Sequence, residues 1–383
     1  MLNTLLNDQR PALQRLLARH ALWDAEGQQL IVELSPFHPQ LGFVPIPSWE
    51  QMLTLSAKPQ LPNWPLLHWP ELPAVAAWRA CIPDWVAETL RRLPQRYQLQ
   101  LLWLCARHPQ MLEMLDKTPI MAWRIAAHHV PENELKQYFP EPRAKLAARL
   151  GWPERHETIR FLNRLRLRKM DEPILQQVER CLRQPEVLTR ACQLPRINSM
   201  ALTLSAHFPQ LIDTPLHHSL ARQPCQPQQC RVLHACLDDA LKLADWLDQP
   251  FEAIAKCRFM VEIEGLYQKW LTQALEQLPQ TPFFQGKKFA PQKFRGTPST
   301  WQPIETETDL MHICRQTTHA WFIEQAQGWT LFHHAAQRLV CALHPQHPPI
   351  ARTAHNQLPN SEQSAQVSLL AASITFEPVQ PAS

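Results

Sequence analysis

The chain has 383 residues with a formal net charge of +4, and 45% of its residues are hydrophobic and 19% charged. This balance is typical of a globular protein, and the length predicts two or three domains. Only 7 residues are Gly, and the sequence lacks the G-x-G-x-x-G, G-x-x-x-x-G-K-[ST] and G-x-S-x-G motifs, which argues against nucleotide-binding and α/β-hydrolase folds.

The sequence predicts neither export nor a membrane span. Asp8 and Arg10 come too early for a signal peptide, and there is no run of about 18 apolar residues. We therefore expect a soluble, cytoplasmic protein without a membrane partner. Its 10 Cys, none in a C-x-x-C motif, are then expected to be reduced thiols.

The 37 prolines divide the sequence into segments of about 10–20 residues, the usual length of helices. The fold class predicted is mainly α, a multi-helix array with a small α+β C-terminal unit. Residues 1–73 are expected to form an N-terminal helix (3–22), a strand (QQLIVELS, 28–35) and a Pro-rich segment. The pattern over 74–280 is helical almost throughout and predicts a helical domain.

The helical pattern stops at 281–300, which is predicted to be a basic loop or linker. Residues 301–348 follow as the small α+β unit, with a helix over 308–325 and short strands in GWTLFHHA and RLVCALH. The polar, Pro- and Ser-rich stretch 349–383 is expected to be a flexible tail.

Three blocks carry a resemblance to a known family. They are LGWPERHETIRFLNRL with CQLPRINSMAL (150–202), LDDALKLADWL with FEAIAKCRFMVEIEGLYQKW (237–270), and FRGTPSTWQPIETETDLMHICRQTTHAWFIEQAQGWTLF (294–332). In their order and phrasing, these blocks resemble the PcfJ-like family of bacterial proteins over about residues 95–345. The resemblance implies a setting in mobile elements and no settled activity.

This sequence departs from the family's pattern in the third block. His312 and Cys314 match the family's first His and its Cys, but Ile313 replaces the second His and Thr318 stands where a Tyr is expected. In the family, the helix that closes the second block usually ends near a His-Asp pair, and Tyr267 and Lys269 do not reproduce that pair in this sequence. The resemblance therefore implies a degenerate member of the family.

Positive charge is concentrated in residues 143–169, which hold nine Lys or Arg and two Glu. If ETIRFLNRLRLRKM is one helix, Arg160, Arg164 and Arg168 lie four apart and form a ridge that neutralises phosphates. Phenylalanines are interleaved with a second basic cluster, which consists of Lys287, Lys288, Lys293 and Arg295. Cations beside aromatic rings on which bases can stack suit the binding of single-stranded nucleic acid. The alternative is a solvated helix face and a basic loop that pair with acids elsewhere.

His312 and Cys314 are the candidate catalytic residues, because a thiol activated by an imidazole is a nucleophile. His319, His333 and His334 are possible bases. Residues two apart on a helix point in different directions, however, so a Cys packed as a small hydrophobe is the alternative.

Cys225, Cys230, His234 and Cys236 are zinc-ligand types, but their spacing fits no structural zinc class, and only Cys230 and His234 are placed to share a helix face. The C-terminal His319, His333, His334, His344 and His347 could bind a metal only if strands bring them together. We predict no metal and no cofactor. Asp238 and Asp239 are expected to be solvated or to cap helices.

These observations favour a non-enzymatic, PcfJ-like helical interaction protein, an accessory of a mobile element or defence locus, that contacts nucleic acid or an acidic protein through a basic face. The alternative is an enzyme with a site around Cys314 and His312. The oligomeric state is open.

Overall fold

Prolines mark where helices begin in this chain. In the computed structural model, which describes residues 10–36, 40, 42–280 and 294–376, six α-helices have proline as their first residue. Proline suits this position because its fixed φ matches the helix and its missing N–H is not needed there. Helices make up 59% of the structure, so the predicted mainly α fold with a small α+β unit is confirmed.

The structure divides into two compact units, Met1–Asp213 (unit 1) and Thr214–Ser383 (unit 2). This boundary falls inside the helical domain that the sequence predicted over 74–280. Among the described residues, no helix combines the length and apolar character needed to cross a bilayer.

Unit 1 begins with a helix and a small sheet. These elements are α1 (Arg10–His20), β1 (Ala21–Asp24), β2 (Gln29–Glu33) and β3 (Phe43–Pro47). The sheet is an antiparallel meander in the order β1-β2-β3, with Leu30 paired to Ile46 and Trp23. The strand predicted in QQLIVELS is confirmed as β2, whose alternate residues Leu30 and Val32 are fully buried.

The rest of unit 1 is helical. Its helices are α2 (Trp49–Thr54), α3 (Pro73–Ala80), α4 (Asp84–Arg92), α5 (Gln98–Arg107), α6 (Pro109–Lys117), α7 (Pro119–Ala127), α8 (Glu132–Tyr138), α9 (Arg143–Arg149), α10 (His156–Arg164), α11 (Glu172–Arg183), α12 (Pro185–Ala191) and α13 (Ser199–His207), with 3-10 turns at Leu66–His68 and Pro209–Leu211. Trp78 and Trp103 are fully buried, and the Trp78 indole donates to the Pro47 carbonyl at 3.0 Å, which joins α3 to the sheet. Burial of each such ring contributes about 3 kcal/mol.

Unit 2 combines helices with two small sheets. Its helices are α14 (Pro215–Arg222), α15 (Pro227–Trp246), α16 (Glu252–Ala255), α17 (Met260–Gln277), α18 (Glu307–Thr317), α19 (Trp321–Ala326) and α20 (Ser361–Ser373), with 3-10 turns at Leu278–Gln280, Ala335–Gln337 and Ala354–Asn356. Its strands are β4 (Phe294–Arg295), β5 (Gln302–Pro303), β6 (Thr330–His334), β7 (Leu339–His344), β8 (His347–Arg352) and β9 (Thr375–Phe376). Strands β5-β6-β7-β8 form an antiparallel sheet, and β4 pairs with β9.

The segment predicted as a flexible tail is folded as far as the structure describes it. Residues 349–352 complete β8, and α20 begins with Asn360 and Gln363 in a reciprocal capping box. Val367, Leu370 and Ile374 pack with Trp301 and Phe332 in the core of unit 2. Within α20 only Val367 and Leu370, three residues apart, are buried, and Ile374 directly after the helix adds a third apolar contact, so α20 packs on the core along one narrow face.

Candidate functional site

The helix predicted to carry the arginine ridge ends before it reaches the third arginine, Arg168. Helix α10 ends at Arg164, and the chain continues in an extended form in which Leu165 bridges to Ile197. From there the side chains alternate: Leu165 and Leu167 are buried, whereas Arg166 and Arg168 are exposed. Arg160 and Arg164 lie four apart in α10 and share one helix face, but Arg168 lies beyond the helix in the extended segment and does not continue their row.

About half of the basic stretch already has partners. Salt bridges join Arg143 to Glu113 (2.8 Å), Arg149 to Glu141 (2.8 Å) and Lys169 to Asp171 (3.4 Å). Two further guanidiniums donate to backbone carbonyls. Arg164 donates to Pro195 at 2.9 Å, and Arg166 donates to Asn163 and Leu165 at 2.9 Å, where it caps the end of α10.

The exposed arginines of the extended segment line a cleft in unit 1, which we call the basic cleft. Its volume is about 1020 Å³. Leu115, Leu162, Leu165, Leu167 and Met170 contribute apolar surface to it. The ends of α4, α6 and α10 and the start of α7 supply its polar rim, so the cleft is built where several helices terminate.

Four cations and one carboxylate line the basic cleft, which makes it a strongly positive surface: Arg92, Lys117, Arg166, Arg168 and Asp116. Lys117 is held by Glu113 at 2.9 Å. Arg92 and Arg168 are exposed, and neither side chain has an ion pair or hydrogen bond among the described residues. Two guanidiniums in this cleft are therefore available to an anionic ligand.

The second predicted basic cluster is largely untested. Lys287, Lys288 and Lys293 lie outside the described residues, and Arg295 is the second residue of β4. Their prediction as nucleic-acid contacts stays a prediction.

The candidate pair His312 and Cys314 is not arranged for nucleophilic catalysis. Both lie in α18, but His312 is exposed and Cys314 is fully buried, as expected for residues two apart on a helix. Burial raises the pKa of the Cys314 thiol to about 12. At neutral pH the thiol is therefore protonated, and only the thiolate is a competent nucleophile.

The candidate zinc ligands do not assemble either. Cys225 and Cys230 lie close together, with 3.5 Å between their Sγ atoms, where the chain enters α15. His234 and Cys236 follow in the same helix. In the described part of the chain, no group of three or more His, Cys, Asp or Glu side chains is placed to hold a metal ion, and this includes the C-terminal histidines.

A buried polar cluster in unit 2, the Asp239 centre, contains Asp239, His319, Arg352 and Asn356. The Asp239 carboxylate is 5% exposed and accepts two hydrogen bonds from Arg352 Nη2, at 3.1 and 3.2 Å, and one from Asn356 Nδ2 at 3.0 Å. His319 Nε2 lies 3.4 Å from the same carboxylate. Desolvation alone would raise the pKa of Asp239, but His319, Arg352 and Asn356 together hold it well below its ordinary value.

Asp239 was expected to be solvated or to cap a helix, and this expectation is wrong. No local pattern signals the centre, because Arg352 and Asn356 lie more than a hundred residues away along the chain. Arg92 and Lys117 of the basic cleft were missed for the same reason. The extended segment, by contrast, did have a signal, since RLRLR alternates with the period of a strand.

Comparison with known proteins does not identify this chain: no protein-family profile matches it, and it has no significant match among curated proteins or solved structures.

Proposed function

We propose that this protein is a non-enzymatic accessory protein of PcfJ-like type whose basic cleft in unit 1 binds the phosphate backbone of nucleic acid. One observation carries the proposal. Arg92 and Arg168 line the same cleft without partners among the described residues, alongside Lys117 and Arg166. Guanidiniums bind phosphate oxygens through two parallel N–H donors, which suits this arrangement.

The lining favours backbone contact over base stacking. The described residues of the cleft include aliphatic side chains and no aromatic ring. Stacked bases require aromatic faces, and each stacked base contributes about 1–3 kcal/mol to single-strand binding. We therefore expect electrostatic binding with little sequence preference, which falls steeply as salt concentration rises.

The test compares two double variants that remove the same charge. Arg92→Ala/Arg168→Ala removes the two unpaired arginines of the cleft, and Arg155→Ala/Arg160→Ala removes two exposed arginines outside its lining. Binding to a fluorescein-labelled duplex is measured by anisotropy over a series of salt concentrations. Each lost phosphate contact lowers the slope of log K against log salt by about 0.9, so the cleft variant should lose about 2.

The control variant should retain the wild-type slope of log K against log salt to within about 0.5, which corresponds to about half a phosphate contact. Equal losses in both variants would contradict the proposal, because they would indicate a diffuse effect of net charge. Absence of duplex binding by the wild type would also refute it. Stronger binding of poly-L-glutamate than of the duplex, lost in the cleft variant, would replace nucleic acid by an acidic protein partner.

A further inference from the structure

A second cavity lies in unit 2, beside the Asp239 centre, and has a volume of about 580 Å³. This volume falls within the range of pockets that hold small molecules. Helix α15 contributes Val232, Ala235 and Cys236 to one wall, and Tyr267 of α17 contributes to another. His355 and Asn356 close it from the loop after β8. The site is independent of the basic cleft of unit 1.

Asn356 presents a hydrogen-bond acceptor of fixed orientation. Its Nδ2 donates to the Asp239 carboxylate, and a carboxylate can only accept, so the amide cannot be turned around. Its Oδ1 is buried and has no hydrogen-bond partner among the described residues. An unpaired buried acceptor is unfavourable, and a ligand N–H would satisfy it.

Tyr267 supplies a complementary donor. Its hydroxyl oxygen accepts the Ala320 backbone N–H at 2.9 Å, and its own proton has no acceptor among the described residues. Burial raises the pKa of this hydroxyl well above its usual value, so it remains protonated. Two residues of the pocket lining, Asn356 and Tyr267, therefore each have a hydrogen-bonding group that is unused among the described residues.

The backbone beside the pocket is strained. His355 and Asn356 have φ angles of 58° and 56°, in the left-handed region that two successive non-Gly residues rarely occupy. Strain of this kind persists where surrounding contacts impose it, and it clusters at ligand sites. Here the bond from Asn356 to Asp239 is one contact that holds the loop in place.

Charge narrows the class of ligand further. The lining residues in the described part of the chain include the carboxylate of Glu264 but no Lys or Arg. An anion would therefore enter without a counter-charge, close to one carboxylate in the lining and to Asp239 one turn further along α15. Uncharged ligands avoid this cost.

We propose that this pocket binds an uncharged small molecule through an amide-like edge, in which an N–H donates to Asn356 Oδ1 and an adjacent carbonyl accepts from the Tyr267 hydroxyl. A carboxamide, lactam or ureido group has this pattern. The apolar side chains that α15 contributes to the pocket contact the rest of the ligand.

The test uses three probes that share one ring. Benzamide has both the N–H and the carbonyl, acetophenone has only the carbonyl, and benzoate carries a negative charge. Saturation-transfer NMR titrations on the full chain should show benzamide binding with a Kd of about 1 mM or lower. Acetophenone should bind at least about 5-fold more weakly because one hydrogen bond is lost, and benzoate should not bind. No benzamide binding, or equal binding of all three, would overturn the proposal.

Variants locate the site. Asn356→Gly removes the acceptor while it keeps a residue that tolerates positive φ, and Asp248→Gly is the matched control at another positive-φ position of unit 2. We expect Asn356→Gly to weaken benzamide binding at least about tenfold and Asp248→Gly to leave it unchanged. If Asn356→Gly is not folded by circular dichroism, Val232→Trp fills the pocket from an exposed position. Wild-type affinity in the folded blocking variant would equally refute the proposal.

Discussion

Arg168 in the basic cleft and Arg352 in the Asp239 centre are the same type of side chain in opposite circumstances. Arg168 is exposed and has no ion pair or hydrogen bond among the described residues. Arg352 is 7% exposed, and its guanidinium donates from Nη2 and Nε to one carboxylate. The first guanidinium is available to a ligand, whereas the second is committed to the fold.

This contrast explains why charge counts along a sequence are a poor guide to binding surfaces. A buried ion pair contributes no net charge at the surface, yet removal of one partner leaves an uncompensated charge in a low dielectric. An unpaired surface arginine contributes almost nothing to stability, since it is solvated in both the folded and the unfolded chain. Three substitution experiments would break or sharpen the comparison.

The largest effect is expected from Arg352→Met. Asp239 would lose its bidentate partner while it stays buried, and breaking such a pair costs about 3–5 kcal/mol. The free energy of unfolding is measured locally, by hydrogen–deuterium exchange of peptides from α15, because a chain of two units need not unfold in one step. We expect protection of α15 to fall.

The matched control for this variant replaces both partners, as Asp239→Leu/Arg352→Met. Without a buried charge to solvate, the double variant should recover most of the lost protection. Equal protection in the wild type and in Arg352→Met would show that the guanidinium is not committed to the fold, and the contrast with Arg168 would disappear.

A smaller effect is expected on acidification. The pKa of Asp239 is lower in the folded chain than the value of about 3.9 for an unfolded Asp, so its ionised form favours folding. This contribution is present in full above about pH 5 and is lost as the pH falls toward the folded pKa. Urea unfolding between about pH 5 and pH 3, followed through hydrogen–deuterium exchange of α15 peptides, should show a decline in local stability that is shallower in Asp239→Asn. Parallel declines would argue against the assignment.

The smallest effect on stability is expected in the cleft. Arg92→Ala/Arg168→Ala should change the free energy of unfolding by no more than about 0.5 kcal/mol, as is usual for exposed positions without partners. A urea titration at pH 7, followed through hydrogen–deuterium exchange of α10 peptides in unit 1, measures it. A loss above about 2 kcal/mol would mean that these arginines support the fold, and any loss of duplex binding would then have to be reinterpreted.

Secondary structure in this chain was accessible from the sequence where periodicity was strong. Strands β2, β6 and β7 and the helix α15 were predicted because apolar residues recur at their periods over several turns or pleats. The predicted helix over 308–325 is interrupted at Thr318, whose positive φ of 54° ends α18. Helix α20 was missed because only two of its residues, Val367 and Leu370, are buried.

The candidate sites were less accessible, for a physical reason. Arg160, Arg164 and Arg168 have helical spacing, but the buried Leu165 and Leu167 impose an extended chain, and packing overrode the assumed helix. The Asp239 centre and the pocket beside it depend on contacts between residues that are far apart in sequence. Such contacts leave no trace in a single sequence without its fold.

The alternation that begins at Leu165 also bears on how this surface could change over evolutionary time. All four residues from 165 to 168 line the cleft, but the leucines at 165 and 167 are buried and anchor the segment, whereas the arginines at 166 and 168 are exposed. Substitutions at 168, whose side chain has no ion pair or hydrogen bond among the described residues, can therefore alter the preferred ligand while the anchoring leucines, and with them the architecture, are conserved. A lineage could acquire a new binding preference here through single exchanges, without passing through an unfolded intermediate sequence.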